Sequence, residues 1–375
     1  MTAPRTAFVL EYALGHATHA NNLKHAVASG DAGDASPVYF DLPFDADFGR
    51  WAKVPPFRSN WTLRASLAAW LALRRNIRQN KRGFDAALFH TQITAQFAHG
   101  FMRGTPSVVS LDATPIQMDA LGSWYNHKPD SPAVETFKKR LTTRTFHAAR
   151  RLVSWSQWAK DSLVADYGVA ADKVVVIPPG IDLSRWDFGA SRRAKSAGEP
   201  LNLLFVGADF ERKGGDTLLA AWYALPDEFR NHARLHIVTK QKPILTGSIQ
   251  NISIYTDIVP NDSRLLELFA KADLFVFPTR ADCLPLAVME AMAAGLPIIT
   301  TAVAALPEAV IDGENGLIVP VGDEIKLRNA MESLLSDDSL RLAMSSAART
   351  GAMERFDARK NYRLLVETVE GVAAT

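Results

Sequence analysis

ADLFVFPTRADCLPLAVMEAMAAG, residues 272–295, decides how the rest of the chain is read. Its first part, 273–278, is an apolar run of strand length, closed by the turn PTRAD. A helix is expected to open near Pro285 and to run through Ala294. A strand feeding a helix N-terminus presents unpaired backbone N–H groups and the positive end of the helix dipole, which suits a phosphate. Asp282 and Glu290, with seven residues between them, flank that helix start. Carboxylates are acceptors only and hold vicinal hydroxyls well. Phosphate and hydroxyl recognition side by side fit a nucleotide-sugar.

Working outward, 203–222 (LLFVGADFERKGGDTLLAAW) repeats the logic. A buried strand ends at Gly207, a polar loop follows, and a helix is expected from near Asp216. Arg212 and Lys213 stand on that loop, where two cations offset a diphosphate at about 1.5–3 kcal/mol for each charge-assisted hydrogen bond. A solvated basic turn is the bland reading of the same residues.

Apolar runs alternate with helical patterns along the whole chain. In the first half strands are expected at 7–10, 38–40, 86–89, 107–111, 152–155 and 173–177. Helices are expected at 20–28, 62–80, from about 94, over roughly 132–150 and around 157–167. In the second half strands are expected at 201–206, 236–239, 252–256, 274–278, 297–300 and 316–320. Such alternation means α/β architecture with parallel sheets covered on both faces. The chain has 375 residues, too many for one ordinary core. Pro178-Pro179-Gly180 and the polar stretch 191–200 mark an interdomain linker, so the expected domains are 1–180 and 181–355. Two doubly wound domains are expected to face one another across a shared cleft.

Composition narrows the function classes. Cys283 is the only cysteine, which excludes an internal disulfide and fits a reducing compartment. The N-terminus reads as a first strand and not as a signal, no apolar run is long enough for a bilayer, and the expectation is a cytoplasmic protein. The net charge of +2 hides polarity: residues 1–180 carry 21 basic against 14 acidic side chains. Residues 50–82 hold nine basic and no acidic side chains. Within it, 61–82 reads either as a basic amphipathic helix resting on the inner face of an anionic membrane, or as a sheet-covering helix with a solvated basic face. No nucleic-acid module accompanies these charges, and no nucleic-acid partner is expected.

The ordered set of segments resembles the retaining glycosyltransferases with two Rossmann-like domains, the GT-B fold, and specifically the GT4 family (glycosyl transferases group 1). The resemblance rests on 203–222, on Asp282 and Glu290 at the spacing of the family's paired-glutamate motif, on VIPPGIDLSRW (176–186), and on LPEAVIDGENGLIVPVGD (306–323). It implies transfer of a hexosyl group from a UDP- or GDP-sugar to a hydroxyl with retained anomeric configuration, in glycan, glycolipid or polysaccharide synthesis. The acceptor is undefined, a lipid-linked one included. Glu290 would bind the ribose, Asp282 the sugar hydroxyls, and backbone around Leu284, Pro285 and Leu286 the phosphates. Arg212 and Lys213 would offset leaving-group charge, so neither metal nor cofactor is expected. The first domain would bind acceptor, the second the nucleotide-sugar, and the last helix, 355–375, would pack back on the first.

Departures from the family pattern fall in the first domain and at two second-domain positions. Gly15 remains from a glycine pair that would approach the diphosphate, while His16 replaces the second glycine. Asp112 occupies the position of a functional histidine, and is expected either to meet a substrate or to cap the next turn. Ala208 replaces an arginine, and Asp282 is one methylene shorter than glutamate. His16 and His90 are acceptor-side candidates, His90 being equally readable as a satisfied strand-end histidine. His16, His19 and His25 lack a completing ligand set, and Asp45-Ala-Asp47 lacks the preceding strand of a metal-binding acidic pair. Two rival readings are a catalytically silent nucleotide-sugar binder and a sugar-nucleotide epimerase.

Overall fold

The computed structural model describes residues 4–13, 15–44, 54, 60–125, 130–186, 188, 198–245, 247–260 and 262–374. Most of the expected linker stretch 191–200, namely 191–197, and the Asp45–Asp47 pair lie outside them. The chain divides into two compact units: 1–180 with 358–375, and 181–357.

Among the described residues each unit is built on one parallel six-stranded sheet. The first holds β1 (Thr6–Tyr12), β2 (Val38–Pro43), β3 (Ala86–His90), β4 (Ser107–Leu111), β5 (Arg151–Ser154) and β6 (Val174–Val176), in the order β2-β1-β3-β4-β5-β6. The second holds β7 (Leu201–Val206), β8 (Ala233–Val238), β9 (Ile252–Tyr255), β10 (Leu274–Phe277), β11 (Ile298–Thr301) and β12 (Gly316–Val319), in the order β12-β11-β10-β7-β8-β9. Both orders reverse direction once, between β1 and β3 in the first unit and between β7 and β10 in the second. At such a switch point the loops leaving two adjacent strands turn to opposite faces, and a crevice opens at the strand C-termini.

Burial on both faces explains the apolar runs. Ala7 and Val9 of β1 face one way with Ala87, Phe89, Val109 and Leu152, against Ala69 and Leu73 of the Trp61–Asn80 helix and Phe146 of the Pro132–Ala148 helix. Phe8 and Leu10 face the other way with Leu88, Val108 and Val153, against Leu23 of the Gly15–Ala28 helix and Leu365, Val366, Val369 and Val372 of the Ala358–Ala373 helix. The last helix therefore belongs to the first unit's core, and Gly180 lies so close beneath it that a Cβ would sit 2.4 Å from Ala358 Cα. The Trp61–Asn80 helix covers the sheet, while Arg74, Arg75, Arg78, Lys81 and Arg82 remain exposed. No helix among the described residues is long and apolar enough to cross a membrane.

Two local departures from the sequence reading have physical causes. The helix expected at 20–28 starts at Gly15, because its buried face includes His19, a polar residue that hides the apolar period. The helix expected from 355 begins at Ala358, because the separate Asp338–Arg355 helix ends at Phe356 just before it.

The second unit hinges on one close approach. Gly214 has φ +77°, and a Cβ there would stand 2.0 Å from the Pro278 carbonyl oxygen. Gly322, also left-handed at φ +75°, has open space around it. Gly322→Ala should therefore lose about 1–2 kcal/mol of stability from the backbone conformation alone. Gly214→Ala, which adds the clash, should lose clearly more in the same urea titration; equal losses would show that the two loops do not meet so tightly.

Candidate functional site

At the second unit's switch point, the loop after β7 and the loop after β10 are tied by several bonds. Arg280 N donates to the Arg212 carbonyl at 2.9 Å, and Thr279 Oγ1 to the same oxygen at 3.2 Å. Arg212 Nη1 donates to the Ala281 carbonyl at 2.9 Å and its Nε to Asp209 Oδ2 at 3.1 Å. Arg280 grips the Asp216 carboxylate with both terminal nitrogens and reaches Thr217 Oγ1 at 2.9 Å. That fork pins the first turn of the Gly215–Tyr223 helix to the second loop.

These ties bring Lys213 to Asp282. Lys213 Nζ donates to Asp282 Oδ2, each side chain being 13 % exposed, and the ammonium lies 5.3 Å from the centre of the Phe277 ring. Burial pushes Lys213 below its ordinary range, against the opposing pull of Asp282, while Arg212 beside it pushes the same way as burial. Asp282 Oδ1 accepts from Cys283 N at 3.1 Å. A cation and a carboxylate thus stand together at the mouth of the switch point, both partly open to solvent. Of the two expected cations, Lys213 holds this position, whereas Arg212, buried to a similar degree, joins the loops.

The helix after the second loop is Leu286–Ala293, with Pro285 in the N-cap position. Proline carries no N–H, so the amides at this tip are those of Leu284, Leu286 and Ala287 and not of Pro285. Glu290 lies one turn further along. It is partly exposed, yet enough protein surrounds its carboxyl that desolvation pushes it up to about 7, with Arg185 pulling the other way. Arg185 and Arg280 are site residues that sequence reading passed over. Asp216 in a first helical turn was a signal for Arg280's partner, but nothing in the sequence pairs Arg185 with a residue 105 positions away.

The first unit's switch point gathers a different set. Gly15 opens its helix in open space, and His16 follows it. His16 Nδ1 lies 3.1 Å from His90 Nε2, and its Nε2 lies 3.7 Å from Asp112 Oδ2. His90 is fully buried, so it touches His16 and not the surface. Trp155, just after β5, stacks on His90 with ring centres 5.6 Å apart and planes at 10°. His19, also buried, completes the cluster at 4.5 Å from His90, whereas His25 is exposed in the helix's last turn. Desolvation, with charge from His16 as the lesser cause, lowers His19 to about 3. The cap expected of Asp112 is made by Thr114, whose Oγ1 accepts from Gln117 N at 3.3 Å within a capping box. Glu11 at the end of β1 is buried too, accepting from Thr91 Oγ1 at 2.6 Å and Trp61 Nε1 at 3.1 Å.

The model for "Glycosyltransferase Family 4" matches residues 12–185, and that for "Glycosyl transferases group 1" matches residues 200–337. A D-inositol 3-phosphate glycosyltransferase of Corynebacterium aurimucosum is 29 % identical over 249 residues, covering 59 % of this chain and 57 % of that protein. The chain thus spans little more than half the length of that curated relative. Among solved structures, the sucrose-phosphate synthase of Thermosynechococcus elongatus superposes with a TM-score of 0.75 at 17 % identity, over 99 % of each chain. Anabaena HepE in complex with UDP-glucose superposes at 0.68 and 15 % identity, over 98 % of this chain and 100 % of that one. Two parallel doubly wound sheets, and two matches that between them run through both units, have one reading: the chain belongs to the GT4-type glycosyltransferases (glycosyl transferases group 1) of GT-B fold.

Proposed function

We propose that this protein transfers a hexosyl group from a UDP- or GDP-sugar to an acceptor hydroxyl with retention of anomeric configuration. The observation that carries the reading is the Lys213–Asp282 pair at the β7/β10 switch point, beside the Leu286–Ala293 helix tip. A diphosphate set there meets the Lys213 ammonium on one side and the amides of Leu284, Leu286 and Ala287 on the other. The sugar beyond it meets Asp282, whose second oxygen also faces the loop backbone. In the transition state negative charge grows on the bridging phosphate oxygen. A fixed cation and fixed N–H dipoles stabilise that charge without reorganising, and this is the task a divalent cation would otherwise perform. Arg212 contributes by holding both loops in register.

Glu290 serves as hydrogen-bond acceptor for the ribose hydroxyls, and Arg185 favours its ionised form. In the first unit Asp112, 21 % exposed at its side chain, is the carboxylate we assign to the acceptor. Deprotonation of the acceptor falls to the departing phosphate, on the same face of the sugar. That UDP-glucose is held by a neighbour of the same fold supports the donor class.

Two measurements bear on this. Incubated with a panel of UDP- and GDP-sugars, the wild-type protein should release nucleoside diphosphate from at least one. Glu290→Ala should lower that release about ten- to a hundredfold, as for the loss of one or two hydrogen bonds to a charged group. Donor binding without release would indicate a silent binder, and isomerised donor without acceptor product an epimerase. The second measurement is the pH dependence of stability. Glu290 binds its proton more tightly when folded (about 7) than when unfolded (4.5). Its ionisation therefore costs stability as pH rises through that window, on the order of 2 kcal/mol after allowing for solvent at its open side. Wild type minus Glu290→Gln should fall across pH 4.5–7 in denaturant titrations and level off above; a flat difference would place the carboxyl in water.

A further inference from the structure

Three imidazoles meet at the first unit's switch point, and the protons of two of them, His16 and His90, can be assigned. His90 ends β3, is fully buried, and is clamped flat against Trp155. Its Nε2 faces His16 Nδ1 at 3.1 Å, while its Nδ1 is buried without a partner. On the far side of His16, Nε2 faces Asp112 Oδ2 at 3.7 Å. The other titratable groups around the cluster are His19, on the same helix as His16, and Tyr362 of the last helix, whose hydroxyl lies 3.4 Å from His19 Nδ1 and also donates to the Gly180 carbonyl. Burial holds His90 neutral, with His19 and His16 acting in the same direction.

One of the two facing nitrogens carries the shared proton. If His16 Nδ1–H donated, a neutral His90 would keep its own proton on Nδ1, a buried N–H with no acceptor. A neutral His16 would then also turn a lone pair toward the Asp112 carboxylate. If His90 Nε2–H donates, its proton meets the His16 acceptor, and the His16 Nε2–H faces the Asp112 carboxylate at 3.7 Å, beyond hydrogen-bond length but within ion-pair range. Only a lone pair on His90 Nδ1 goes unmatched, and buried unpaired donors are the rarer of the two defects.

We propose that His90 is a positioning residue: its Nε2–H fixes His16 in the Nε2–H tautomer, and His16 in turn orients the Asp112 carboxylate. The role of that carboxylate toward the acceptor rests on the glycosyl-transfer reading; the placement of the protons does not. His16, standing where the family pattern has a glycine, is then the link between a buried ring and a solvent-facing carboxylate.

The test is side-chain 15N NMR of the full chain labelled at histidine, near neutral pH, with the His16 signals assigned from a His16→Gln spectrum. The wild type should show His16 protonated on Nε2. His90→Phe keeps the stack on Trp155 and removes the donor; it should leave His16 a mixture of tautomers and lower kcat of sugar transfer about tenfold with donor KM little changed. His90→Gln, whose amide N–H reaches the same place, should restore both. His16 protonated on Nδ1 in the wild type, or an unchanged His16 in His90→Phe, would overturn the proposal. Should His90→Phe fail to fold, the wild-type spectrum and His90→Gln decide between the two tautomers. The expected tautomers without any sugar transfer by the wild type would support the relay and overturn only the reading of the reaction.

Discussion

The meeting of the β7 and β10 loops is the constraint on which the second unit's chemistry depends. Strand order puts β7 beside β10, so two loops far apart in sequence leave the sheet together. Gly214 lets their backbones touch at Pro278, and Arg212 and Arg280 each bridge them. Only with that contact made does Lys213 reach Asp282, since the two charges sit 69 residues apart. The pair is also a sensible resting state. A largely buried ammonium and a largely buried carboxylate, each side chain 13 % exposed, satisfy one another; under the proposed function a donor would replace that pairing with a phosphate for one and hydroxyls for the other.

Much of the framework was legible because it follows from periodicity. Strands buried on both faces appear as unbroken apolar runs, and β7 at 201–206 and β4 at 107–111 were read to the residue. Positions where a polar residue does a core residue's job were harder. His19 lies on the buried face of the Gly15–Ala28 helix, and so the apolar pattern begins five residues after the helix does. Short helices such as Pro115–Ala120 and Asp227–Asn231 carry too few turns to show a period.

Side-chain partnerships were the least legible. The motif singles out Arg212 and Lys213 together, but packing separates their tasks: one guanidinium is consumed in joining loops, and one ammonium pairs with Asp282. Asp112 admitted two readings from sequence, and the capping box made by Thr114 and Gln117 leaves the carboxylate to His16. His90 reads either as a ligand contact or as a satisfied strand-end histidine, and the Trp155 ring and two imidazoles that enclose it favour the second. Each of these outcomes depends on neighbours from other strands, which one-dimensional patterns do not carry.

The proposed transfer depends on Lys213 as the cation that would receive the donor's diphosphate. Calorimetric titration of the full chain with UDP-glucose, or with GDP-mannose if the uridine sugar gives no heat, isolates that contact when wild type and Lys213→Met are compared. Loss of one charge-assisted contact in a partly desolvated site should weaken binding about tenfold or more. Equal affinities for the two proteins would contradict the account, because the pair with Asp282 would then be a structural ion pair with no part in binding.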